Sequence, residues 1–89
     1  MEYRFDIATD GREAVDKFKV LFSQGYLFDF IFMDIDLPEM PGIEATKIIR
    51  SIEKQYAGVH SNIVAVTVEG KTEVEEGIFD DYCKFKIFI

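Results

Sequence analysis

The chain has 89 residues, enough for one domain and too few for two. Hydrophobic residues make up 48% and charged residues 30%, which excludes a disordered chain, and nine phenylalanines with four tyrosines supply much of the core volume. A net charge of −7, with ten scattered basic residues, argues against a nucleic-acid partner, and a single cysteine, Cys83, rules out an intrachain disulfide.

Residues 1–10 carry no basic start followed by an apolar run, so no signal peptide is expected. No apolar run approaches membrane-spanning length either. The sequence therefore reads as a soluble, cytoplasmic chain with no membrane association.

Residues 3–8 alternate with period two and predict a strand, ended by Thr9-Asp10-Gly11. Asp10, three residues before Glu13, can cap a helix whose stripe is Ala14, Val15, Phe18, Leu21 and Phe22. Gly25 closes it. Residues 28–33 are apolar except Asp29, a run that fits a strand buried on both faces of a parallel sheet. Asp34-Ile35-Asp36 ends that strand, and Pro38 and Pro41-Gly42 make a loop.

A second amphipathic helix follows. Ala45, Ile48, Ile49, Ile52 and Tyr56 form its apolar stripe, with Lys47, Arg50, Glu53 and Lys54 expected outward. Gly58 breaks it. Ile63-Val64-Ala65-Val66 reads as a short buried strand ending at Thr67. Residues 70–77 are acidic and support at most two helical turns, and residues 82–89 read as a last strand. Strand–helix alternation implies right-handed crossovers and a mostly parallel sheet with helices on both faces. Asp34, Asp36 and Thr67 then gather at the carboxyl ends of strands, where such sheets place their polar sites.

The segment Met33-Asp34-Ile35-Asp36-Leu37-Pro38-Glu39-Met40-Pro41-Gly42-Ile43-Glu44-Ala45-Thr46 resembles response-regulator receiver domains of two-component phosphorelays, where the phosphoacceptor strand runs into the next helix. Phe5-Asp6-Ile7-Ala8-Thr9-Asp10-Gly11-Arg12-Glu13-Ala14-Val15 is similar to the family's second strand and helix. Asn62-Ile63-Val64-Ala65-Val66-Thr67 is similar to its fourth strand, and Phe79-Asp80-Asp81-Tyr82 to the approach to its fifth. The likeness covers nearly the whole chain in order.

The resemblance implies a flavodoxin-like parallel sheet of four strands with two to three helices, residues 1–89 forming one N-terminally incomplete receiver. It implies that Asp34 accepts a phosphoryl group and, with the Asp36 backbone carbonyl, binds Mg²⁺. It implies that Thr67 donates to a phosphoryl oxygen, and that Lys86, or alternatively Lys84, neutralises phosphoryl charge. The implied partner is a histidine kinase or a phosphotransfer protein, and the chain is expected to act as an acceptor, not as an enzyme. The chemistry is consistent: a carboxylate can attack phosphorus to form an acyl phosphate, provided cations offset the charge on the equatorial oxygens.

Several positions depart from the family pattern. The family's first strand, which ends in two metal-binding acids, has no counterpart, and neither does its first or last helix. Glu2 and Asp6 sit on the wrong strand to substitute, so the Mg²⁺ site is expected to be weak. With fewer helices, one sheet face is expected to expose apolar surface. Phe85-Lys86-Ile87-Phe88-Ile89, with no helix after it, is expected to promote self-association as an open edge. The alternative reading is a phosphorylation-incompetent pseudo-receiver, or receiver fragment, that acts only as a protein-interaction module. An unrelated enzyme is disfavoured, since His60 lies in a polar loop where it is expected to be solvated, and no phosphate-cradling or nucleophile motif occurs.

Overall fold

A computed structural model describes residues 6–68 and 77–85. Its elements in chain order are α1 (Gly11–Ser23), β1 (Phe30–Asp34), α2 (Gly42–Glu53), β2 (Asn62–Val68) and β3 (Asp81–Phe85). The strands form one sheet in the order β1-β2-β3, with both pairings parallel. Three strands and two helices are thus present among the described residues, against four strands and two to three helices expected. The difference lies at the amino-terminal end. Residues 1–5 are outside the described chain, and Asp6, Ile7 and Ala8 join no ladder. Lys17 on α1 holds them instead, through an ion pair to Asp6 at 2.9 Å and donation to the Ile7 carbonyl. The expected helix over 70–77 falls on undescribed residues except for Gly77. The residues beyond Phe85, including Lys86 and most of the segment expected to self-associate, are likewise outside.

Local chemistry sets the helix ends. The Asp10 carboxylate accepts the Glu13 N–H at 2.7 Å, and Glu13 reaches back to the Thr9 hydroxyl at 2.8 Å, a reciprocal cap. Gly25, at φ 89°, turns the chain out of α1 in the left-handed conformation glycine adopts freely. Val15 and Phe18 bury the inner stripe, and Phe18 stacks on Phe22 and Phe28 at centroid distances of 5.3 and 5.7 Å. On α2, Ala45 and Ile49 are buried in the same core. Tyr56 lies past the end of α2, exposed, with its edge against the Phe22 ring.

The expectation of helices on both faces is corrected. The ladder pairs Ile31 with Ile63 and Met33 with Ala65, and paired residues share a face. Ile63, Ala65 and Met33 are buried in one cluster with Val15 and Phe18 of α1 and with Ala45 and Ile49 of α2. Both helices therefore cover the same side. The reading of residues 28–33 as buried on both faces fails for the same reason: Phe30 and Phe32 point the other way and are 60% and 71% exposed. Their rings stack at 6.3 Å, which shields each only from its neighbour's side. The apolar surface expected on one face is present.

Candidate functional site

Asp34 is the last residue of β1 and is exposed at the carboxyl end of the sheet. Its Oδ1 accepts the Asp36 N–H at 2.9 Å, a turn in which an aspartate folds the backbone around its own carboxylate. Two further bonds fix the chain as it leaves the strand, Ile35 N–H to the Val66 carbonyl at 3.1 Å and Gly42 N–H to the Ile35 carbonyl at 3.0 Å. The start of α1 docks on the same loop, with Gly11 N–H donating to the Pro38 carbonyl at 3.3 Å. Glu39 takes φ 65° there, a left-handed backbone uncommon outside glycine.

Thr67, the penultimate residue of the neighbouring strand, lies one step beyond Val66, the Cα partner of Asp34. Asp34 and Thr67 therefore stand at the same end of the sheet, on strands in direct contact, and leave it on opposite faces. Thr67 is buried with the helix-covered row, whereas Asp34 faces solvent. Asp36 follows in the turn, also exposed. The sequence-derived trio thus shares one end of the sheet, with Thr67 on the covered face and Asp34 on the other. Of the two lysines, Lys84 is the Cα partner of Thr67, while Lys86 lies outside the described residues. No group of three or more His, Cys, Asp or Glu side chains able to hold a metal ion occurs among the described residues. Asp34 and the Asp36 carbonyl offer two oxygens, fewer than the six a Mg²⁺ ion takes, so these residues do not fit a complete site.

A second polar cluster, at the opposite end of the sheet, went unread in the sequence. Arg50 and Glu53, expected outward, are both largely buried, Glu53 at 2% exposure. The Arg50 guanidinium donates to the Ile78 carbonyl at 2.9 Å, to Glu53 and the Ser61 carbonyl at 2.8 Å each, and to Asp80 at 2.6 Å. Glu53 in turn accepts the Ser61 N–H at 2.8 Å. His60, expected to be solvated, is exposed but bonded: its Nε2 meets Asp80 Oδ1 at 2.7 Å. Burial pushes the Asp80 pKa up, but hydrogen bonds from His60, the Ile63 N–H and Arg50 outweigh it and hold the carboxyl at about 2. The partners lie up to 30 residues apart, beyond any local sequence pattern.

Among the described residues, no helix is long and apolar enough to cross a membrane. The family model for the response regulator receiver domain matches residues 1–81. Over 81 residues, 85% of this chain, the sequence is 42% identical to hybrid signal transduction histidine kinase I of Dictyostelium discoideum, of which the chain spans only 5%. Among solved structures, a mutant receiver domain of the histidine kinase CKI1 from Arabidopsis thaliana superposes with a TM-score of 0.61 at 33% identity, covering 86% of this chain and 60% of that one. The same receiver domain complexed with Mg²⁺ and BeF₃⁻ gives a TM-score of 0.54 at 42% identity, covering 66% of this chain and 44% of that one. An exposed aspartate at a strand's carboxyl end, a threonine near the carboxyl end of the adjacent parallel strand and a family match over most of the length converge, and the chain belongs to the response-regulator receiver domains of two-component phosphorelays.

Proposed function

We propose that Asp34 accepts a phosphoryl group from a phosphohistidine on a histidine kinase or phosphotransfer protein. The observation that carries this reading is the placement of Asp34: exposed, at the carboxyl end of β1, with its turn pinned by Asp36 and its strand bonded to the one that carries Thr67 near its carboxyl end. A carboxylate oxygen attacks phosphorus and forms an O–P bond while the N–P bond to the donor imidazole breaks. The imidazole leaves with that electron pair and takes up a proton from solvent. In this reading the Thr67 hydroxyl would turn toward a phosphoryl oxygen from the same end of the sheet, and Lys84 or Lys86 would supply positive charge.

Mg²⁺, when bound, offsets phosphoryl charge. Asp34 and the Asp36 carbonyl would contribute to holding it, weakly, with water or other oxygens completing the shell. In this role the chain is an acceptor modified once per signal and not a turnover enzyme.

The sparse metal ligation among the described residues favours a second reading, a pseudo-receiver that only binds another protein. Intact-mass measurement separates the two. Acetyl phosphate or a phosphohistidine donor with Mg²⁺ should add one phosphoryl group, and Asp34→Asn should abolish it. A wild-type chain with no adduct leaves only the protein-binding reading.

A further inference from the structure

The described side chains of β3 specify its register only weakly. Register is strongly specified where one face of a strand is apolar and buried, and weakly specified otherwise. Among the described side chains of β3, Asp81 and Cys83 are exposed and Tyr82 is 39% exposed with its ring 6.1 Å from that of Phe79, so none of the three is buried in the way that pins a register. Phe79, buried in the core, brings the segment to the sheet, but an aromatic ring in an apolar cluster does not select hydrogen-bond register. Yet the ladder is definite: Val64 pairs with Asp81, Val66 with Cys83 and Thr67 with Lys84.

Asp80 stands immediately before that ladder and is bonded to β2 twice. Its N–H donates to the Ile63 carbonyl at 2.9 Å, and its Oδ2 accepts the Ile63 N–H at 2.8 Å. The same oxygen takes Nη2 of Arg50 at 2.6 Å. Arg50 is rooted in the last turn of α2, and its other nitrogens reach Glu53 and the carbonyls of Ser61 and Ile78. The fork thus joins α2, the entry to β2 and the entry to β3 at fixed positions. His60 and Asp80 do not make a catalytic pair, because Nδ1 of His60 faces Arg50 at 3.4 Å and both ring nitrogens are turned into the cluster.

We infer that Arg50, acting through Asp80, is a positioning residue that sets the register of β3 and so fixes which residue of that strand stands beside Thr67. A slip of one residue would put Cys83 opposite Thr67 and move it from the open face to the helix-covered one. It would also displace Lys84 from its place beside Thr67. The consequence for phosphoryl chemistry rests on the function proposed above, whereas the register itself does not.

Cys83 reports the register directly, since it is an exposed thiol on the open face. Labelling with a thiol reagent under native conditions should be several-fold slower in Arg50→Lys and in Asp80→Asn than in the wild-type chain. His60→Gln, which spares the Arg50–Asp80 bond, should label at the wild-type rate. Circular dichroism checks that the helices persist. Unchanged labelling in the Arg50 and Asp80 variants would overturn the inference. Acceleration to the rate of the urea-unfolded chain would overturn it equally, since the cluster would then only hold the strand on. Phosphoryl uptake on Asp34 is read separately by mass. Its absence from the wild-type chain, with the labelling result as expected, would defeat the acceptor reading and leave the register inference standing.

Discussion

The backbone carbonyl oxygen of Asp34 occupies the space that a Cβ on Gly42 would need, the two falling 2.0 Å apart. The first turn of α2 is therefore pressed directly against the proposed phosphoacceptor. Backbone cannot swing aside as a flexible side chain can, so Gly42→Ala should shift the helix or the turn. We expect a loss of roughly 1–3 kcal/mol, as for other overpacked sites, together with reduced phosphoryl uptake. Gly25→Ala provides the contrast, because nothing lies within 4 Å of its added Cβ and only its φ of 89° is unfavourable. Its cost should be about 1 kcal/mol with uptake intact. Urea denaturation beside intact-mass measurement checks both.

Thr46 offers a gain. Its hydroxyl oxygen is fully buried in α2 with no hydrogen-bond partner among the described residues. Thr46→Val keeps the shape and removes the unsatisfied group, and should stabilise the fold by on the order of 1 kcal/mol. Thr46→Ala leaves a cavity as well and should gain less or lose. Thermal melts of the two variants decide it, and a lower melting temperature for Val than for Ala would contradict the assignment.

Acid stability should depend on Asp80. Its carboxyl ionises at about 2 in the fold against an ordinary 3.8, so the folded state prefers the charged form. That preference contributes fully above pH 3.8 and is lost as pH falls toward 2, a contribution that solvent screening at this exposed carboxylate reduces to about 1 kcal/mol. Asp80→Asn should lower stability at neutral pH and flatten the pH dependence in that acid window. Denaturation curves at pH 7, 4 and 2.5 for both chains measure it, and parallel curves would exclude the mechanism.

Phe32 is 71% exposed, so removing its ring costs the fold little. Phe32→Glu should change stability by less than ~1 kcal/mol while reducing the binding of an apolar dye to the open sheet face. A large destabilisation would mean that the ring is packed in solution. Equal dye binding by both chains would place the exposed apolar surface elsewhere.

The course of the chain from Thr9 to Thr67 was legible where the signals are local. Asp10 caps at the spacing its distance from Glu13 implies, Gly25 turns as the helix ends, and Asp34 stops the apolar run at the sheet's edge. What escaped was set by partners distant in sequence. Glu53 lies on the helix flank that periodicity assigns to solvent, and it is buried because a backbone N–H eight residues later needs its carboxylate. Phe30 and Phe32 sit in an unbroken apolar run that says nothing about which faces receive a cover. Which lysine stands beside Thr67 depends on register, which the three described side chains of β3 mark only weakly and the Asp80–Ile63 bonds accompany.

The two ends of α2 have a mechanical consequence. At one end Gly42 abuts the Asp34 carbonyl, and at the other Arg50 and Glu53 grip the loops that enter β2 and β3. Twelve helical residues span about 18 Å and resist both stretching and compression. The helix is thus a strut wedged between the top of the first strand and the bottom of the third. A displacement of the Asp34 turn would be delivered to the far end of the sheet as a push along the helix axis, with no need for the strands between to slide.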